Sequence, residues 1–339
     1  MNSIKGKTGV LLINLGTPDS PSVGNVRSYL SQFLNDPRVI DIPWLLRKML
    51  VNLIIVPFRA PKSAKIYKEL WTDQGSPLLY YSEKVQKMLD KELGDDYSVH
   101  LAMRYKNPSI PSVLEEMKKR NYQKIVVVTM FPQYASASTG SALEAVMDEI
   151  KKWWVIPDVK FISQYYDHPL FIEAILDRAG KYNLDDYDHI LFSYHGLPVR
   201  QVDKVYDSGV CEGHDCESAI TEENQYCYKA TCFATTRLLA EKLGIDESRY
   251  TVCFQSRLDK NWLEPFSDKV VEQKAKEGAK KLLVFSPAFT ADCLETIIEI
   301  GDEYQEIFEE HGGEKVQLVE SLNDHPLWVE CLKDLVLNR

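Results

Sequence analysis

Ile190-Leu-Phe-Ser-Tyr-His-Gly-Leu-Pro198 is an apolar run that stops on a histidine and a Gly/Pro turn. The pattern occurs 180 residues earlier as Val10-Leu-Leu-Ile-Asn-Leu-Gly-Thr-Pro18. Neither run alternates polar with apolar positions, so each predicts a strand covered on both faces, as in a parallel sheet. Lys124-Ile-Val-Val-Val-Thr-Met130 and Lys281-Leu-Leu-Val-Phe-Ser286 carry the same signal, while Val23–Leu34 and residues 138–151 have helical spacing. Phe131-Pro132 and Ser286-Pro287 each follow a strand and precede a small-residue loop and a helix. The alternation predicts an α/β fold of two Rossmann-like, doubly wound domains whose parallel sheets face an active-site cleft. The expected domains are 1–165, with a lip at about 42–62, and 166–339, whose last helix packs back on the first domain. Ligands in such folds bind beyond the carboxyl ends of the strands, so the loops after Leu15, Met130, Tyr194 and Phe285 should line the cleft.

The composition agrees with two soluble domains. The chain has 339 residues, 45% hydrophobic and 27% charged, which excludes disorder, collagen and coiled coil. A formal charge of −10 argues against nucleic acid, whose binding rests on Lys and Arg facing phosphate. Seven cysteines, an odd number in a long chain, fit a secreted disulfide scaffold poorly. Residues 1–8 lack the apolar core of a signal peptide and the Arg/Ser richness of a transit peptide. The longest apolar run, residues 49–58, is interrupted by Asn52 and Pro57 and is too short to span a bilayer. The expected location is the cytoplasm.

Four features carry chemistry. His195 closes a strand on a turn, where imidazole can take a proton near neutral pH or ligate a metal. Asp292, Glu295, Glu299 and Asp302 are spaced 3, 4 and 3, one acidic stripe if the segment is an α-helix. Such a stripe is either a solvated face or a path for cations or protons. From Arg38 to Lys68 seven basic residues stand against one acid, Asp41, in a segment rich in Trp, Leu and Ile. That mixture suits an interfacial segment on anionic lipid, or the mouth of a pocket for a large apolar dicarboxylate. Finally, Cys211, Cys216, Cys227 and Cys232 fall within 22 residues, and four soft ligands so close suggest zinc or an iron–sulfur cluster.

Leu12-Ile-Asn-Leu-Gly-Thr-Pro-Asp19, Gly75-Ser-Pro77, Met103-Arg-Tyr105, Phe131-Pro-Gln-Tyr134, Ser138-Thr-Gly140, Ser193-Tyr-His-Gly-Leu-Pro198, Phe254-Gln-Ser256, Trp262-Leu263 and Phe289-Thr-Ala-Asp-Cys-Leu-Glu-Thr296 together resemble the ferrochelatases, in order over nearly the whole chain. The resemblance implies insertion of Fe²⁺ into protoporphyrin IX, the last step of haem synthesis, with release of two protons. It implies that His195 accepts a pyrrole proton or is the first iron ligand. Glu295 would pair with it across the metal, Asp292 would join the catalytic set, and Glu299 and Asp302 would continue an acidic path. Leu15, Trp262 and Phe289 would pack on the porphyrin; Arg59, Lys62 and Ser76 would bind propionates, and Arg104 and Tyr105 would complete the porphyrin-binding set. Relatives that use coproporphyrin carry Tyr at the position of Leu15, which favours protoporphyrin here. Many relatives have His where this chain has Cys293. A subset with four internal cysteines implies a [2Fe–2S] cluster on Cys211, Cys216, Cys227 and Cys232. The resemblance also implies peripheral contact with the cytoplasmic face of the inner membrane and leaves room for a homodimer. The alternatives are a coproporphyrin III ferrochelatase, a cobalt or nickel chelatase for an earlier tetrapyrrole, or a non-catalytic haem- or iron–sulfur-binding sensor.

Overall fold

The computed structural model describes residues 7–211 and 213–338. Its strands form two parallel four-stranded sheets. β1 (Thr8–Gly16), β2 (Tyr97–Tyr105), β3 (Lys124–Thr129) and β4 (Asp158–Ile162) lie in the order β2-β1-β3-β4. β5 (His189–His195), β6 (Tyr250–Gln255), β7 (Lys281–Phe285) and β8 (Lys315–Leu318) lie in the order β6-β5-β7-β8. The two orders are the same, so the echo between residues 10–18 and 190–198 marks the corresponding strand, β1 or β5, of two like sheets.

The unbroken apolar runs follow from helices on the sheet faces. Val10 to Ile13 in β1 and Ile190 to Phe192 in β5 are fully buried. Leu11, Ile13, Ile125 and Val127 pack against Leu114 and Met117 of the helix Ile110–Lys119 and Ala142 and Val146 of the helix Ser141–Ile150. Each such side chain removed from water contributes about 1.5–3 kcal/mol. Gly16, at the end of β1, has φ +109°, and a Cβ there would lie 2.0 Å from the Tyr105 carbonyl oxygen. Only glycine lets β1 end this close to β2.

The chain divides into two compact units. One gathers the described residues of Met1–Phe131, Ala135–Gln164 and Val329–Arg339; the other gathers Pro132–Tyr134 and Tyr165–Trp328. The helix Pro326–Asn338 therefore passes from the second unit into the first, where Lys333 reaches Glu92 at 3.2 Å. No helix among the described residues is long and apolar enough to cross a membrane.

Candidate active site

In the second unit the site is built where β5, β6 and β7 end. His195 is the last residue of β5 and pairs in register with Gln255, the last of β6. Its Nδ1 lies 2.7 Å from the Gly196 carbonyl oxygen. A carbonyl only accepts, so the neutral ring carries its hydrogen on Nδ1 and keeps the lone pair on Nε2. Among the described residues Nε2 has no hydrogen-bond partner. The loop after His195 is pinned by Leu263, whose N–H donates to Leu197, and by Val199, whose N–H donates to Asn261. Trp262 sits in that pairing, bridged to Pro198. A Cβ on Gly196 would lie 2.8 Å from the Gln255 carbonyl oxygen, so this turn too requires glycine. The Phe289 ring lies 6.4 Å from the His195 ring.

The acidic segment departs from the sequence expectation. Asp292 precedes the helix, and Glu295–Glu303 is a π-helix rather than an α-helix. A π turn closes over i→i+5, so residues seven apart no longer share a face as they do in an α-helix. Asp302 is therefore turned away from the line of Glu295 and Glu299, and it is exposed. Glu303 comes nearer that line: desolvation, then the Glu299 charge, push its carboxyl above the usual range although the residue is exposed. Asp292 is an anchor. Its carboxylate accepts from Asn323 Nδ2 at 2.7 Å, Ser321 N at 3.2 Å and Thr296 Oγ1 at 3.3 Å, tying the loop after β7 to the segment after β8.

Glu299 is the most heavily held acid of this segment. It accepts from Ser256 N at 2.8 Å, Gln255 Nε2 at 3.3 Å, Tyr304 OH at 3.3 Å and the Ser256 hydroxyl. Gln255 Nε2 also donates to the Glu295 carbonyl at 3.0 Å, and its Oε1 accepts from Ser193 at 2.7 Å. Gln255 and Ser256 stand in the Phe254-Gln-Ser256 motif, which by itself assigns neither of them a role. The available signal was their place at a strand's carboxyl end beside His195. Cys293 is buried, and burial with the neighbouring Glu295 pushes its thiol well up.

In the first unit the predicted residues separate. Ser76 caps the helix Pro77–Leu93, yet its buried hydroxyl has no protein partner, the condition of a group that awaits a ligand or water. Arg59 and Lys62 lie exposed on the helix Val56–Leu70, and Leu15 is half-buried at the end of β1. Arg104 and Tyr105 are taken up internally by Asp36, a residue the sequence gave no reason to single out. Asp36 accepts from Arg104 at 2.5 Å, Ser141 at 2.6 Å, Arg38 N at 2.8 Å and Tyr105 OH at 2.9 Å. Tyr105 is fully buried, and burial with the Asp36 charge pushes its phenol up. The Arg104 guanidinium carbon lies 4.8 Å from the centroid of the Tyr105 ring. Arg47 is also buried, capping the Ile40 and Ile42 carbonyls, so the lip carries one cation fewer than its sequence counts.

The family comparisons bear on this constellation. The ferrochelatase family profile matches residues 7–339. The chain is 44% identical over 330 residues to a ferrochelatase of Coxiella burnetii, covering 96% of this chain and 92% of that one. The chain belongs to the ferrochelatase family. It is 41% identical over 331 residues to a ferrochelatase of Legionella pneumophila, covering 97% and 98%. Membership makes it a metal chelatase, of the lyase class, acting in haem biosynthesis. The fold is shared with SirB from Bacillus subtilis with Fe3+, at a TM-score of 0.54 and 12% identity over 97% of this chain and 94% of that one.

The cysteine segment forms a group of its own in the second unit. The thiols of Cys211, Cys216 and Cys227 lie within 4.8 Å of one another. Tyr206 OH is 2.9 Å from Cys216 Sγ, and Asp203 accepts from Cys211 N at 2.8 Å. Cys211 Sγ and Cys227 Sγ lie 3.9 and 4.0 Å from Cys216 Sγ, and the interaction of the first two holds Cys227 below the ordinary thiol range and pushes Cys211 above it. Cys232, expected as the fourth member, is not in this group. Cys227 is the N-cap of the helix Tyr228–Leu243, and a residue five positions on comes round to another face. Cys232 lies fully buried within the helix packing, and burial pushes its thiol well up.

Proposed function

We propose that this ferrochelatase inserts Fe²⁺ into protoporphyrin IX to give protohaem, with release of two protons. The observation that carries the proposal is the His195 ring, whose Nδ1 is spent on Gly196 and whose Nε2 lone pair is left free at a strand end. That lone pair serves to take a pyrrole proton or to meet the iron first. Deprotonation of the pyrrole nitrogens and dehydration of the ion are the barriers to insertion, and a fixed base answers the first. Ser193, Gln255 and Ser256 hold Glu299, and through the Glu295 carbonyl they hold the start of the π-helix, so both acids stay where a cation or proton can be passed. Asp292 serves as a positioning residue for Glu295 by fixing the loop between them.

Leu15 supports protoporphyrin over coproporphyrin, because an apolar side chain favours the vinyl-bearing ring and offers nothing to an extra propionate. Arg59, Lys62 and the unpartnered Ser76 hydroxyl are the groups for the propionates. Phe289 and Trp262 are the packing surface for the macrocycle. Trp44, Leu45, Leu46, Met49, Leu53, Ile54 and Phe58 are all at least half exposed, a surface suited to peripheral contact with the cytoplasmic face of a membrane.

The gathered thiols of Cys211, Cys216 and Cys227 fit a soft, thiolate-bound centre, and the reading extends to a [2Fe–2S] cluster with Cys232 as fourth ligand. Bringing Cys232 in requires the first turns of its helix to shift. Such a cluster supplies a one-electron couple; insertion of Fe²⁺ has no net electron transfer, so these cysteines serve structure or sensing.

The test is anaerobic Fe²⁺ insertion followed by haem absorbance, with protoporphyrin IX and coproporphyrin III as parallel substrates. Faster turnover of coproporphyrin overturns the substrate assignment, and full turnover by His195→Ala overturns the catalytic one. A colourless protein carrying zinc overturns the cluster.

A further inference from the structure

β7 and β8 separate beyond their paired residues. Val319 N–H donates to the Val284 carbonyl at 2.9 Å, and among the described residues the next backbone bond between the two segments runs from Asn323 N–H to the Thr290 carbonyl, also at 2.9 Å. Between these two bonds the chains enclose a cavity, lined by Phe171 and Ile175 of the helix Pro169–Ala179 and by Phe285 and Leu322. Ser286 lines it from the first segment and Ser321 from the second. They are only 6% and 5% exposed, and neither hydroxyl has a hydrogen-bond partner among the described residues. Buried hydroxyls are nearly always satisfied, so two of them in one cavity call for a shared ligand.

Size and chemistry select that ligand. The cavity gives about 20 Å³ to the centre of a water-sized molecule. One water needs about 10–15 Å³ and two to four polar partners. The walls are phenyl and aliphatic, so an ion would lose its hydration without compensation. Glu320, the charged residue on the lining, already accepts from Arg178 at 2.7 Å and from Lys181 at 2.9 Å. A small neutral molecule that both donates and accepts is what remains.

We propose that the cavity is a site for one internal water, held between Ser286 Oγ and Ser321 Oγ, and that this water positions Phe289. Phe289 N–H donates to the Ser286 carbonyl at 3.0 Å, so the two residues belong to one turn. Ser321 N–H donates to Asp292 at 3.2 Å. The loop from Ser286 to Asp292 is thus fastened to the segment after β8 at both ends, directly at Asp292 and through the water at Ser286. Phe289 lies between those ends, its ring 6.4 Å from the His195 ring. The positioning role rests on the proposed packing of Phe289 against the macrocycle.

The test begins with a high-resolution crystal structure of the full chain, in which a water should lie within hydrogen-bond distance of both hydroxyls. Ser286→Ala and Ser321→Ala each remove one of its two partners. Each should raise the porphyrin KM about fivefold, the effect of one hydrogen bond, with kcat held. Denaturant titration of the same variants reads the water without substrate. In both measurements the double variant should lose no more than either single one, because all three lose the same water. No water at the site, or two serine effects that simply add, overturns the site. A coupled loss of stability with an unmoved KM overturns the positioning of Phe289. Phe289→Ala checks the packing itself: if KM stays unmoved there, the packing assignment fails and the positioning role with it, while the water site stands.

Discussion

Glu299→Gln tests whether the acid nearest the end of β6 is built into the fold. The carboxylate takes four donors, from Ser256 N, the Ser256 hydroxyl, Gln255 Nε2 and Tyr304 OH. Glutamine is nearly isosteric, but its amide nitrogen would face donors at the position that now accepts from Ser256 and Gln255. Hydrogen bonds to a charged group contribute about 1.5–3 kcal/mol each. The Ser256 hydroxyl can rotate to accept, so one such bond is lost outright and the others weaken, a cost of about 3 kcal/mol. For a unit of this size that lowers the melting temperature by roughly 6–12 °C. Calorimetry on Glu299→Gln beside Asp302→Asn provides the contrast, since the exposed Asp302 should be neutral. Iron insertion measured on the same samples should fall with Glu299→Gln. A Glu299→Gln protein that melts with wild type, or an Asp302→Asn protein that melts as low as Glu299→Gln, would refute the reasoning.

Further outcomes follow from the same geometry. His195→Ala should lower iron insertion by about a hundredfold or more while leaving the melting temperature near wild type, because only its Nδ1 is used structurally. Gly196→Ala should destabilise by about 1–3 kcal/mol and slow insertion, since its methyl group meets the Gln255 carbonyl; calorimetry and turnover check both. Asp36→Ala leaves Arg104 without its buried partner and should cost about 3–5 kcal/mol in denaturant titration. His189 is buried, and desolvation pushes its pKa down to about 4. Unfolding lets it bind a proton below about pH 6.5, so its contribution is intact above that pH and is lost as pH falls toward 4, by about 3 kcal/mol. His189→Asn should flatten that part of the stability–pH curve.

The strands that could be read from sequence are those buried on both faces. β1, β3, β5 and β7 each show an unbroken apolar run, because helices cover both sides of the positions they occupy. β4, with Asp158 and Lys160 at a sheet edge, has no such run and carries no strand signal of its own. His195 was legible for the same reason as its strand: an apolar run ending on His-Gly-Leu-Pro places a titratable group at a strand's carboxyl end. Gln255 and Ser256 were not, because their role depends on β6 lying beside β5, a pairing across 60 residues of sequence.

What the sequence alone determined is the α/β class, the repeated strand-turn unit, the histidine at its end and the family. These rest on local pattern: period, turn residues and short motifs whose meaning does not depend on distant neighbours. Tertiary structure decided which charged groups are spent on one another. Arg104 and Tyr105, expected from sequence beside a ligand, are both bonded to Asp36, 68 positions from Arg104. The acidic stripe assumed an α-helix, and the π geometry turned Asp302 out of line. Four cysteines close in sequence became three close in space, because a helix carries Cys232 to another face than its cap, Cys227. In each case the deciding quantity is a through-space distance between groups whose sequence separation says nothing about it.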